Sequence, residues 1–226
     1  MTVIKKVKNV IQRYCELERE DTKYSYMIVK PNGERHLKEI ISIIRHKNIN
    51  IEGIYKIDDY EYVNMLLHPE KEKHKYIIPI NRVYKDFFSN YGILILISKA
   101  GVTYKEFADD IVKLKVEIRS KYDYDYIAYI LNVSKIGMPY NGETVKIISK
   151  SYLEVAKQKM NEKGSYLIIS INEIHSPDSN VENTIQELAL LLNYHIISEN
   201  NIVPQEVIEK IERYGTFSFL QDLQLE

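Results

Sequence analysis

Six consecutive residues, GILILI at 92–97, offer no polar side chain to water. A strand sends alternate side chains to opposite faces, so a strand made from this run can be exposed on neither. The rest of the chain must supply what surrounds it.

The flanking pattern switches between strand and helix spacing. Residues 24–30 (YSYMIVK) read as a buried strand, Pro31-Asn32-Gly33-Glu34 as a turn, and residues 35–47 as a helix through Leu37, Ile40, Ile41, Ile43 and Ile44. Residues 50–57 (NIEGIYKI) alternate as a second strand, and a short helix is expected over 60–67. The charge run at 68–75 (HPEKEKHK) reads as a solvated loop, and 84–90 as a further turn of helix. After GILILI a helix is expected at 103–117, with Phe107, Ala108, Ile111, Val112 and Leu114 on one face. Residues 126–133 and 144–148 form a predicted β-hairpin arm joined through 137–143. Residues 152–161 read as a helix broken by Gly164, residues 166–171 as a strand, and 181–192 and 204–214 as the last two helices. Residues 1–20 carry Val3, Ile4, Val7, Val10, Ile11, Tyr14 and Leu17 at helical spacing and read as an amphipathic docking or oligomer helix.

With the hairpin set aside, the order is β-α-β, then β-α-β with terminal helices. It predicts an α+β fold: a ferredoxin-like four-stranded antiparallel sheet with helices on one face, plus an inserted hairpin and helix. The domain reading is an N-terminal helix at 1–22 and one domain at 23–226, with the insertion at about 118–160.

Lys and Arg number 31 against 32 Asp and Glu, a net charge of −1, so no global field recruits nucleic acid or an acidic membrane. The single cysteine, Cys15, excludes an intrachain disulfide, and no zinc-ligand spacing, P-loop or GxGxxG occurs. With neither a membrane-length apolar run nor a signal-peptide core, a soluble cytoplasmic protein is expected.

The chemistry-bearing stretch is Asn172-Glu173-Ile174-His175-Ser176-Pro177-Asp178-Ser179, between the predicted strand 166–171 and the helix 181–192. His175 falls where a strand hands over to a helix, a place of orphan N–H groups and positive dipole that suits an anion such as phosphate. It reads either as a surface-loop histidine or as a phosphate-facing one.

Lys30-Pro31-Asn32-Gly33 together with Asn172-x-x-His175-x-x-Asp178-Ser179 and Glu187 resembles the nucleoside diphosphate kinase family, over residues 24–100 and 160–193. That family carries a Lys-Pro-Asp-Gly turn and an Asn-x-x-His-Gly-Ser-Asp-Ser signature whose histidine is transiently phosphorylated. The resemblance implies His175 as nucleophile and Glu187, or Gln186 in a shifted register, as its orienting partner. It also implies Lys30 as a phosphate cation and Asn172 at the sugar hydroxyl. Tyr76 would stack on the base, and His68 would stand for a phosphate-side tyrosine. The family's Thr-Ile-Arg-Gly segment maps either to Arg119, in Glu117-Ile118-Arg119-Ser120, or to the neighbourhood of Lys163-Gly164. Mg²⁺ would arrive with the bound nucleotide rather than on a metal site of the protein. A nucleoside triphosphate or diphosphate, or a phosphorylated small molecule, is the implied partner, and a homo-oligomer the implied assembly.

The departures leave two readings open. Pro177 stands where the family has a serine hydroxyl, Ser176 replaces a glycine, and the second family arginine has no counterpart in Lys105–Asp110 (KEFADD). One reading is a divergent phosphotransferase working through phosphohistidine. The other is a catalytically silent nucleotide-binding or protein-interaction module of the same fold. RNA binding on the sheet is disfavoured, because no basic aromatic motif marks an open face.

Overall fold

The computed structural model describes residues 2–13, 19–69, 91–121, 125–130, 144–149, 166–171 and 173–214. The GILILI run is the centre of β3 (Gly92–Ala100). It pairs antiparallel with β1 (Thr22–Val29) on one edge and β2 (Asn50–Ile57) on the other. β1 pairs in turn with a two-residue strand, β7 (Ile174–His175), giving the order β2-β3-β1-β7 with every pair antiparallel. This is the ferredoxin-like order expected from the sequence.

Each face of β3 has its own core. Ile93, Ile95 and Ile97 join Met27 and Val29 on one side, while Leu94 and Leu96 join Tyr24, Tyr26 and Ile28 on the other. On the isoleucine side lie α2 (Leu37–His46), α4 (Tyr104–Lys121) and α6 (Gln205–Tyr214), through Ile40, Ile44, Phe107, Ile111, Leu114 and Ile211. On the leucine side lie α1 (Val3–Gln12), α3 (Tyr60–Leu67) and α5 (Val181–Asn193), through Val7, Val63, Ile185, Leu188 and Leu191. Helices therefore cover both faces, not the one expected. Each large apolar side chain left in water forgoes about 1.5–3 kcal/mol, so the leucine face, with Tyr24, Tyr26, Ile28, Leu94 and Leu96, requires a second layer.

The expected hairpin arm is present as β4 (Asp125–Ile130) and β5 (Thr144–Ser149). The segment Tyr166–Ile171 is also a strand, β6, but it pairs with β4 in a second, three-stranded sheet, β5-β4-β6. The strand that carries His175 in the main sheet is β7, beginning three residues later. Two prolines set its length. The register pairs Ile28 with His175 and Val29 with Ile174, and the Lys30 N–H donates to Glu173 O at 2.8 Å. Two residues further along stands Pro177, which has no N–H to offer a ladder; β1 itself ends at Val29, two residues before Pro31.

The helices predicted at 84–90 and 152–161, the hairpin turn and most of the 68–75 run lie outside the described residues. Among the described residues no helix is long and apolar enough to cross a membrane.

Candidate functional site

The β1–β7 pairing puts the His175 side chain on the leucine face, beside Ile28 and therefore on the side of Tyr26. Tyr26 is wholly buried, and its hydroxyl lies between two groups. It donates to Glu187 Oε2 at 2.8 Å and faces His175 Nε2 at 3.3 Å. Burial, and after it the charge and hydrogen bond of Glu187, push the Tyr26 phenol well above its ordinary 10.0, so it keeps its proton. That one proton goes to the carboxylate, and the phenol oxygen meets the imidazole as an acceptor. The arrangement favours the tautomer with hydrogen on Nε2, which leaves the lone pair of a neutral His175 on Nδ1. The ring of His68, at the C-terminal cap of α3, meets that of His175 edge-on with centroids 4.8 Å apart.

Glu187 reaches this cluster from the second turn of α5. Gln186, the other residue open for the role, is exposed and bonds Glu182 Oε1 at 3.3 Å. The start of α5 differs from the expectation of free N–H groups near His175. Asn180 caps the helix, its Oδ1 accepting from Glu182 N at 2.9 Å and Asn183 N at 3.5 Å, so those donors are occupied.

The Lys30 turn is locked to the His175 strand through its backbone. Beside the Lys30 bond to Glu173, Gly33 N–H donates to Lys30 O at 2.8 Å, closing the Pro31–His36 3₁₀ turn. A Cβ on Gly33 would stand 2.6 Å from Glu173 O, so only glycine permits this approach. Glu173, with its side chain 5% exposed, pairs with Arg35 at 3.1 Å and lies 3.5 Å from His36 Nε2. Burial and then Arg35 hold His36 below its ordinary value, so Arg35 is the cation that meets this carboxylate at neutral pH.

Two cations of α4 hold the outer edge of β7. The backbone carbonyl that bonds Lys30 points towards β1, so by alternation those of Ile174 and Ser176 point away from it. Arg119 Nη2 donates to Ile174 O at 3.0 Å, and Lys115 Nζ lies 3.3 Å from Ser176 O, 3.4 Å from Pro177 O and 3.1 Å from Asp178 Oδ1. Two side chains four apart on a helix thus satisfy the carbonyls on either side of His175.

Of the residues expected from the sequence, His175, Glu187, His68, Arg119 and Lys30 are brought to this neighbourhood, Lys30 by its backbone. Asn172, Tyr76 and Lys163 lie outside the described residues. Tyr26 and Lys115 were missed. A tyrosine hydroxyl inside an apolar strand needs a buried partner, and that demand was the readable signal for Tyr26. Lys115, between Leu114 and Ile118 and four residues before Arg119, offered a fainter one. Among the described residues no group of three or more His, Cys, Asp or Glu converges as metal ligands.

No family model matches the chain. No curated protein matches it either. Among solved structures, the chain is similar to a nucleoside-diphosphate kinase from Borrelia burgdorferi, a transition-state mimic with bound vanadate and ADP. The match covers 81% of this chain and 92% of that one, with 16% identity and a TM-score of 0.43.

Proposed function

We propose that the chain is a phosphotransferase in which His175 takes the γ-phosphoryl group of a nucleoside triphosphate and passes it to a nucleotide or another phosphorylated small molecule. The observation that carries this reading is the Tyr26 hydroxyl, held between Glu187 and His175 Nε2, which directs the lone pair to Nδ1. Nδ1 attacks the γ-phosphorus, the N–P bond forms, the bond to the bridging oxygen breaks and the nucleoside diphosphate leaves. In the return step an oxygen of the acceptor attacks the phosphorus and the N–P bond breaks, restoring His175. Mg²⁺ would enter on the nucleotide phosphates, and a homo-oligomer belongs to the same reading.

Incubation with γ-labelled ATP and Mg²⁺ tests it. The expected product is an acid-labile, base-stable phosphoprotein that ADP or GDP discharges and that His175→Ala does not form. Absence of label, or the same label on His175→Ala, overturns the mechanism.

One observation favours a second reading, a silent nucleotide-binding or protein-interaction module. Lys115 and Arg119 are engaged with backbone carbonyls of the His175 segment, and Pro177 offers no hydroxyl. Calorimetric binding of ATP, ADP or GDP without label formation supports this module.

A further inference from the structure

We propose that Lys115 is a positioning residue for His175, acting with Arg119 as a clasp on the outer edge of β7; the inference rests on His175 being the nucleophile proposed above. An edge strand normally satisfies its outward carbonyls with water or another strand. Here those on both sides of His175 meet cations of a single helix. α4 is itself anchored in the isoleucine core through Phe107, Ile111, Leu114 and Ile118, so the clasp has a rigid base. It is also started firmly: Glu106 N donates to Thr103 Oγ1 at 3.1 Å and Thr103 N to Glu106 Oε2 at 2.8 Å, a reciprocal cap.

The lysine suits this task better than ligand binding. Its side chain is 12% exposed while that of its partner Asp178 is 81% exposed, so the ammonium is the inner member of the pair. Pro177 explains why a cation is needed. It has no N–H with which to continue the ladder, and the pairing of β7 with β1 ends at His175. Without Lys115 the segment that bears the imidazole loses its hold on the carbonyls beyond His175, and Nε2 can drift from a Tyr26 contact that is already 3.3 Å long. A misplacement of about 1 Å costs on the order of a hundredfold in rate at a reacting centre.

Phosphoramidate phosphorylates histidine without nucleotide: the imidazole nitrogen attacks, the N–P bond forms and ammonia leaves. The exposed His195 is an internal standard in the same chain. Mass spectrometry of the full chain would give the ratio of His175 to His195 modification for wild type, Lys115→Met, Lys115→Arg and Arg119→Met. The expected result is a drop of tenfold or more in that ratio for Lys115→Met, recovery to within about threefold for Lys115→Arg, which keeps the charge, and a loss for Arg119→Met. An unchanged ratio in a folded Lys115→Met, judged by near-ultraviolet circular dichroism, overturns the clasp. If Lys115→Met does not fold, Arg119→Met decides in the same way, and Lys115→Arg reacting no better than a general loss of structure predicts also overturns it. Failure of the phosphotransferase reading looks different: wild type then reacts with phosphoramidate at His175 but takes no label from ATP.

Discussion

Replacing Tyr26 by phenylalanine removes one oxygen and leaves the packing of a wholly buried ring in place. Two bonds are lost. The one to Glu187, 2.8 Å and to a charged acceptor, is of the class worth about 1.5–3 kcal/mol. Glu187 is half-buried and regains some water, so the lower end, about 1.5 kcal/mol, is the expected loss of stability. For a chain of this size that lowers Tm by roughly 3–6 °C. The second bond, 3.3 Å from His175, is neutral and long, worth about 0.5–1 kcal/mol, or a factor of about two to five in the orientation and tautomer of the ring. Phosphohistidine formation from γ-labelled ATP should therefore slow by about two- to fivefold, with nucleotide affinity unchanged by calorimetry. The imidazole ¹⁵N shifts of His175 should move from an Nε2–H tautomer towards a mixture. A folded Tyr26→Phe protein whose ¹⁵N spectrum and labelling rate match wild type would refute the relay from Glu187 through Tyr26 to His175.

Gly33→Ala places a Cβ 2.6 Å from a backbone oxygen of Glu173, so the Lys30 turn must move off β7; a loss of about 1–3 kcal/mol is expected in urea unfolding. Asn180→Ala removes the cap of α5 and should cost about 1 kcal/mol in the same measurement, since the side chain serves two N–H groups. Burial and then Glu52 push Tyr55 up to about 12 from 10.0. A raised folded value means its contribution is intact below pH 10 and is lost as pH rises towards 12, by about 2–3 kcal/mol. Tyr55→Phe should flatten that part of the alkaline unfolding curve, and an unaltered slope between pH 10 and 12 would contradict the burial of this phenol.

The alternation of the chain made the central sheet legible, because GILILI and YSYMIV admit no exposed face. The layering was not. Element order says which segments are helices but not which side of the sheet each connection takes, and α1, α3 and α5 took the side that the pattern left open. The strand before His175 shows a different failure. A six-residue β-rich run at 166–171 outweighs any two-residue strand in a periodicity pattern, yet β6 pairs with β4 and Ile174–His175 pairs with β1. His175 and Glu187 were singled out through motif resemblance, whereas the contact that joins them to Tyr26 spans 149 and 161 residues of sequence and leaves no local spacing to read.

The same loop that argues against phosphate transfer also supplies an argument for it. Pro177 takes away a hydroxyl, and two cations that a phosphate would welcome are occupied by carbonyls of residues 174 to 177. A single electrostatic donor to a transition state is worth about 3–4 kcal/mol. Holding a nucleophile in attacking geometry is worth about 7–11 kcal/mol. Residues that fix the backbone on both sides of His175, while Tyr26 and Glu187 fix its ring, therefore strengthen positioning, the stronger of these two effects, and give up part of the weaker one. On the proposed phosphotransferase reading, a site of this kind transfers phosphate slowly rather than not at all, and Mg²⁺ carried by the nucleotide would meet the charge that a missing arginine leaves.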